Sequence, residues 1–151
     1  MTAPAPGWLD GIARYLAAQV AGLAYRTDGT PYGVDETGIS LWAIPASPDT
    51  CMVLTPYGGP APDTKLGYNT PRLQARFRGP PGDPDTPAQL DVDVFDVLQG
   101  LGPVTLPGGV RLISCEALQA DPGYLGQDGN RRHELTRNYQ LEHRAITAHR
   151  Q

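Results

Sequence analysis

Pro71-Arg72-Leu73-Gln74-Ala75-Arg76-Phe77-Arg78-Gly79 is the stretch on which the reading of this chain's fold turns. Successive side chains of an extended backbone point to opposite faces. Leu73, Ala75 and Phe77 therefore line one face, with Gln74 and Arg76 on the other, which predicts a strand with one apolar and one polar side. The apolar side needs a cover. Upstream, the run Cys51–Leu54 reads as a buried strand. Downstream, Thr86 and Pro87 supply an N-cap and a first-turn proline. The helix they open gathers Leu90, Val94, Val97, Leu98 and Leu101 on one face, against Asp93, Asp96 and Gln99, and stops near 100–103.

Outward from this centre, Leu9, Ile12, Ala13, Leu16, Val20 and Leu23 recur at helical spacing, predicting an amphipathic helix over 9–24 with Arg14, Ala18 and Tyr25 pointing away. Residues 26–47 are rich in Gly, Thr and Pro and hold one apolar island at 39–44, so an irregular excursion with a single strand is expected. Val104–Leu106, the turn Pro107-Gly108-Gly109 and Val110–Leu118 read as a hairpin. In Arg132–Arg144, Leu135, Tyr139 and Leu141 alternate with polar residues as a closing strand. The expected architecture is α+β: a mainly antiparallel sheet with two amphipathic helices packed on one face, and long irregular loops.

A length of 151 residues suits a single domain over 1–151 that buries roughly 70% of its unfolded surface. Gly (18) and Pro (16) together make up about twice their average share, yet they fall between apolar runs without a repeat, as in a loop-rich globular domain. Residues 1–8 carry no basic region, and the apolar run beyond is broken by Asp10 and Arg14, so neither a secretory leader nor a membrane span is expected. The net charge is −4 and no basic run exceeds a pair, which argues against stable nucleic-acid binding.

Signatures of catalysis are absent. There is no GxSxG elbow, HExxH pair, phosphate-binding GxxxxGK[ST] or CxxC. Cys51 and Cys115 lie in apolar runs and read as buried thiols. Asp91, Asp93 and Asp96 read as a solvated helix face, with Asp91 on its flank. Gly100-Leu101-Gly102-Pro103 closes a helix instead of opening one and so is no dinucleotide turn. His133 and Glu134 point to opposite faces, and His143 and His149 read as surface residues. No cofactor, metal or catalytic residue is expected.

The loop from Thr55 to Pro71 is unusually long for a compact domain and carries Tyr57, Lys65, Leu66 and Tyr68 in a Gly/Pro setting with little local core to occupy. It is expected to contact a partner. Arg72, Arg76, Arg78 and Arg132 complete the candidate interface, as part of a possible basic stripe with Arg131 and Arg137; parity sets Arg132 and Arg137 on opposite faces, against a single patch.

Tyr57-Gly58-Gly59-Pro60 and Leu66-Gly67-Tyr68-Asn69-Thr70-Pro71-Arg72-Leu73-Gln74-Ala75-Arg76-Phe77-Arg78-Gly79 resemble the phage and prophage family called minor capsid protein or tail terminator. In that family a variable YGG…P loop leads into a P-x-[VL]-Q-x-R-x-R-G strand. Leu118-Gln119-Ala120-Asp121-Pro122, Leu125-Gly126-Gln127-Asp128 and Arg132-His133-Glu134-Leu135-Thr136 are similar to its later path, "ALQ-x-P", "LG-x-D" and "GR-x-E-x-[ST]". The resemblance covers about residues 50–143, and residues 26–47 look like this chain's own elaboration.

The resemblance implies a structural virion protein of the long-tailed phage neck, assembled in the host cytoplasm, and not an enzyme. It implies a homo-oligomeric ring, usually of six copies, that caps the major tail tube protein, stops tube growth and offers its other face to a head-completion or connector protein. DNA would pass through the lumen without specific binding, which an acidic chain suits. Two readings stand beside it: a head-closure protein adjacent to the portal, and a small enzyme using Cys51 or His133.

Overall fold

The computed structural model describes residues 7–151, so the leader reading at residues 1–6 lies outside them. In chain order the elements are α1 (Gly7–Gln19), β1 (Leu23–Ala24), β2 (Thr37–Leu41), β3 (Cys51–Pro56), β4 (Tyr68–Asn69), β5 (Arg72–Pro81), α2 (Asp85–Leu98), β6 (Val104–Thr105), β7 (Arg111–Ala117), β8 (Gly123–Gln127) and β9 (Arg132–Arg144). The class is α+β: two helices and a large mixed sheet, mostly antiparallel. No helix among the described residues is long and apolar enough to cross a membrane.

The sheet runs β1-β2-β3-β5-β9-β7-β6, with β4 and β8 also paired to β9. β1, β2 and β3 are mutually parallel, and every other pairing is antiparallel. The 13-residue β9 is the spine. On one side it pairs with β5 and β4, and on the other with β7 and β8.

Register sets the core. Leu73, Ala75 and Phe77 stand opposite Tyr139, Arg137 and Leu135, while Met52 and Leu54 stand opposite Phe77 and Ala75. Most of these side chains join one apolar cluster with Leu9, Ile12 and Leu16 of α1 and Val94 and Leu98 of α2. Burying each large aliphatic group contributes about 1.5–3 kcal/mol, which anchors both helices to this face.

Three local features depart from the sequence expectation. α1 stops at Gln19, not Ala24, because Gly22 at φ 89° turns the chain and Leu23–Ala24 pair with Thr37–Gly38 as β1. The apolar spacing nevertheless continues, since Val20 and Leu23 stay buried in the same core. α2 starts at Asp85, and the cap is supplied by Asp83 instead of Thr86: its carboxylate accepts the Asp85 and Thr86 amides and the Thr86 hydroxyl, which holds that carboxyl below its usual range. His143 is not a surface residue. It is buried with its ring stacked on Trp8 at 6.1 Å, and burial lowers the affinity of its imidazole for a proton.

A fourth departure is larger. Asp91 is fully buried, and its carboxylate receives two bonds from the Arg137 guanidinium, at 2.9 and 2.7 Å. Arg137 lies on the helix-facing side of β9, directly across from Ala75. Its Nη1 donates to the carbonyls of Gln119 and Ala120, and its plane rests 4.4 Å from the Phe95 ring centre. The pair thus binds α2, β9 and the corner after β7 to one another. A buried ion left without its counterion costs about 3–5 kcal/mol, whereas replacing both partners by apolar groups of similar volume is often close to neutral. Asp91→Ala and Arg137→Ala are each expected to lower the urea-unfolding free energy by about that amount. Asp91→Leu combined with Arg137→Met should lose much less; equal losses for the pair and for the singles would show that the ion pair is not the source of the effect.

Candidate assembly interface

The loop after β3 is a braced structure. Tyr57 donates its amide to the Arg72 carbonyl, and Arg72 returns its amide to Gly58, closing the loop at its base. Gly58 and Gly59 have φ of 70° and 119°, and a Cβ on Gly59 would collide with the Thr70 carbonyl oxygen. This gives the second glycine of the YGG string a physical reason, because a φ of 119° and that close approach both exclude a Cβ, while Gly58 has open space and only a φ that favours glycine. Further along, Asp63 Oδ1 accepts the Lys65 and Leu66 amides, which lowers the affinity of its carboxyl for a proton. Tyr68–Asn69 then pair with the end of β9 as β4.

The chain end completes the brace. Gly67 donates to the Gln151 carbonyl, Gln151 to that of Lys65, and Ala145 to that of Gly67. The Arg150 guanidinium donates to the carbonyls of Leu66 and Tyr68 and to Asn69 Oδ1. Arg144 lies 4.6 Å from the Tyr68 ring centre. The long connection that the sequence marks for contact is therefore held from beneath by residues 144–151, a brace that the sequence reading missed because its partners are mostly backbone carbonyls.

On this support Leu66 is 59% exposed, Tyr57 39% and Tyr68 38%. Lys65 and Arg72 are also exposed, with Arg72 Nε 3.4 Å from Gln140 Oε1. Arg76 pairs with Glu134 at 2.8 Å and is half-buried. Arg78 and Arg132 behave differently. Both are buried and spend their donors inside the chain, Arg78 on the Pro48 and Asp49 carbonyls and Arg132 on the Ala46 carbonyl and the Asp49 and Asp128 carboxylates. They strap residues 46–49 to the sheet face opposite the helices. Among the described residues no continuous basic stripe forms, since Arg137 turns to the helix side, as its parity relative to Arg132 requires.

Two exposed features carried no sequence assignment. An open groove of about 1080 Å³ lies at the β1–β2 end of the sheet, with Tyr25, Tyr32, Leu41, Trp42, Pro48 and Arg26 among its lining. Tyr25 donates to Asp10, and its phenol is pushed up to about 12, first by burial and then by that bond. At the other end, β8 exposes Tyr124 and Leu125. A cue was present in sequence for both, namely large apolar residues in Gly/Pro/Asp surroundings, the same cue that marked the Tyr57–Tyr68 loop. As for nucleophiles, both cysteines are buried and burial raises their thiols, Cys115 to about 12, so neither is a ready thiolate.

A profile of the family described as bacteriophage tail terminator protein matches residues 20–143. The chain belongs to that family. No curated protein matches it. The family is one of phage tail structural proteins, which places this member in the virion tail. The matched span begins ahead of residues 26–47 and runs past them. It stops at His143, just short of the 144–151 brace on the loop. Arg150→Ala is expected to speed amide exchange at Leu66–Asn69 at least tenfold while moving the melting temperature by no more than a few degrees. Unchanged exchange there would show that the loop holds its shape without the brace.

Proposed function

We propose that this chain is a single-domain subunit of a homo-oligomeric ring, hexameric by its resemblance, that caps the finished tail tube, halts its elongation and presents a joining surface to the head. Family membership over residues 20–143 is the observation that carries this reading. The contact surface toward the tube is the braced loop, with Tyr57, Leu66 and Tyr68 as anchors and Lys65, Arg72 and Arg76 around them. Partly exposed aromatic side chains on a rigid support suit this role, because aromatic anchors dominate interface energies and an ordered loop loses little further entropy on binding. The buried Arg78 and Arg132 are left to the monomer.

A tail tube is a stack of like rings, so its growing end always offers the same surface. A terminator ends growth by binding that surface with one face while its opposite face accepts no further tube ring. The net charge of −4 suits a ring whose lumen passes DNA without holding it.

Phage lacking this chain should form normal heads with tails that overrun their usual length or stay unjoined, as scored by electron microscopy. Tails of normal length on joined particles would sink the assignment, and correctly finished free tails beside unjoined heads would move the chain to head closure. In the purified protein, Tyr57→Ser with Tyr68→Ser should leave the melting temperature within a few degrees of wild type and weaken binding to tail tubes at least tenfold. A large loss of monomer stability with unchanged tube binding would make both tyrosines structural residues.

A further inference from the structure

The braced loop carries charge of the opposite sign to the chain as a whole. Lys65 and Arg72 are exposed, Arg144 and Arg150 are half-buried, and none of these cations makes an ion pair among the described residues. Arg76, by contrast, has its charge answered by Glu134. The carboxylates of this end are Asp63, already engaged by the Lys65 and Leu66 amides, and Glu142, on the same face of β9 as Arg144. The cations outnumber them, although the net charge of the chain is −4. Arg150 donates only to neutral oxygens, those of Leu66, Tyr68 and Asn69, and Arg144 rests over the Tyr68 ring. Such contacts hold a guanidinium in place and leave its charge uncancelled.

Residues 144–151 also bring an apolar group to this surface. The register that sets Tyr68 opposite Arg144 carries on through the bond from the Ala145 amide to the Gly67 carbonyl, which brings Ile146 beside Leu66. Ile146 is 65% exposed, more than any of the loop's own anchors. Beyond it the chain turns back, with Thr147 and Arg150 exchanging backbone bonds and Gln151 returning to Lys65. Ile146 thus stands at a turn fixed on both sides, where it serves no core.

Cations set around aliphatic side chains on a rigid frame match the anatomy of a protein interface, an apolar centre within a polar rim. A nucleic-acid backbone would answer the cations but leave Leu66 and Ile146 with nothing to bury them, and it would be repelled by the rest of an acidic chain. A protein surface bearing carboxylates around an apolar recess answers both features. We infer that residues 144–151 belong to the contact surface itself, with Ile146 as an anchor beside Leu66, and that the end of the tube they meet is acidic, its carboxylates lying opposite Lys65, Arg72, Arg144 and Arg150. This rests on the reading above that the loop meets the tube, and it names the chemistry of that partner.

Co-sedimentation of the full-length chain with purified tail tubes tests it. Raising the salt from about 50 to about 300 mM should weaken wild-type binding at least fivefold, because ions screen exposed charges. Lys65→Glu with Arg72→Glu should weaken binding at least tenfold at the lower salt and abolish the salt dependence, whereas Lys65→Arg with Arg72→Lys should bind as wild type does. Ile146→Ser should weaken binding at least fivefold with amide exchange at Leu66–Asn69 unchanged, a readout that separates a lost contact from a loosened loop. Tube binding that ignores both salt and charge reversal overturns the acidic partner, and full binding by Ile146→Ser returns residues 144–151 to the brace alone. Salt-sensitive binding to a short DNA duplex, lost in the double glutamate variant while tube binding persists, makes this a nucleic-acid contact and overturns the proposal. In each of these cases the wild type still binds tubes and the terminator reading stands. A wild-type chain that binds no tubes at either salt overturns both.

Discussion

Arg137 occupies a position on the helix-facing side of β9 where register and pleat call for an apolar side chain, and the rest of the structure is arranged around that fact. Asp91 on α2 answers its charge, Phe95 covers its plane, and the carbonyls of Gln119 and Ala120 take its remaining donors. An ion pair this deep is a weak net source of stability, because desolvating both groups offsets most of their attraction. What it supplies is geometry. A guanidinium fork accepts a carboxylate in one orientation, so α2 can sit on the sheet at one height and one rotation. The same contacts fix the corner at 119–120, and that corner aims β8.

From that joint the sheet distributes its roles along β9. One end of the spine meets β4 and the brace formed by residues 144–151, where the loop with Tyr57, Leu66 and Tyr68 is held. The other end pairs with β8, whose bulge turns Leu125 out. A loop locked by backbone bonds and a bulged edge are two ways to keep apolar side chains exposed without letting them collapse or propagate pairing. Both suit a protein of the tail terminator family, whose members work in the assembled phage tail. The polar sheet face shows a parallel economy: Arg78 and Arg132 are used as internal straps on residues 46–49, so the fold keeps this segment ordered beside the groove.

Local physics was enough wherever one residue's neighbours in sequence were also its determinants. Alternation located β5 and the whole of β9, because a strand buried on one face must repeat every two residues; a short continuous apolar run located β3, which is buried on both faces over Cys51–Leu54, and the hairpin of β6 and β7 followed from its Pro-Gly-Gly turn. Spacing of 3–4 residues located both helices, although not their ends. Parity placed Arg132 and Arg137 on opposite faces, and the order of the YGG and P-x-[VL]-Q-x-R-x-R-G strings pointed to the family. Tertiary structure alone decided the remainder. Asp91 reads as a solvated carboxylate until a distant arginine, 46 positions later, arrives to neutralise it. Arg78 reads as an interface cation until the Pro48 and Asp49 carbonyls claim it, and the loop's rigidity depends on Arg150, some 80 positions away. A sequence pattern reports what each segment prefers to bury, but a charged group's fate is set by the partner it meets, and that partner is chosen only when the chain closes on itself.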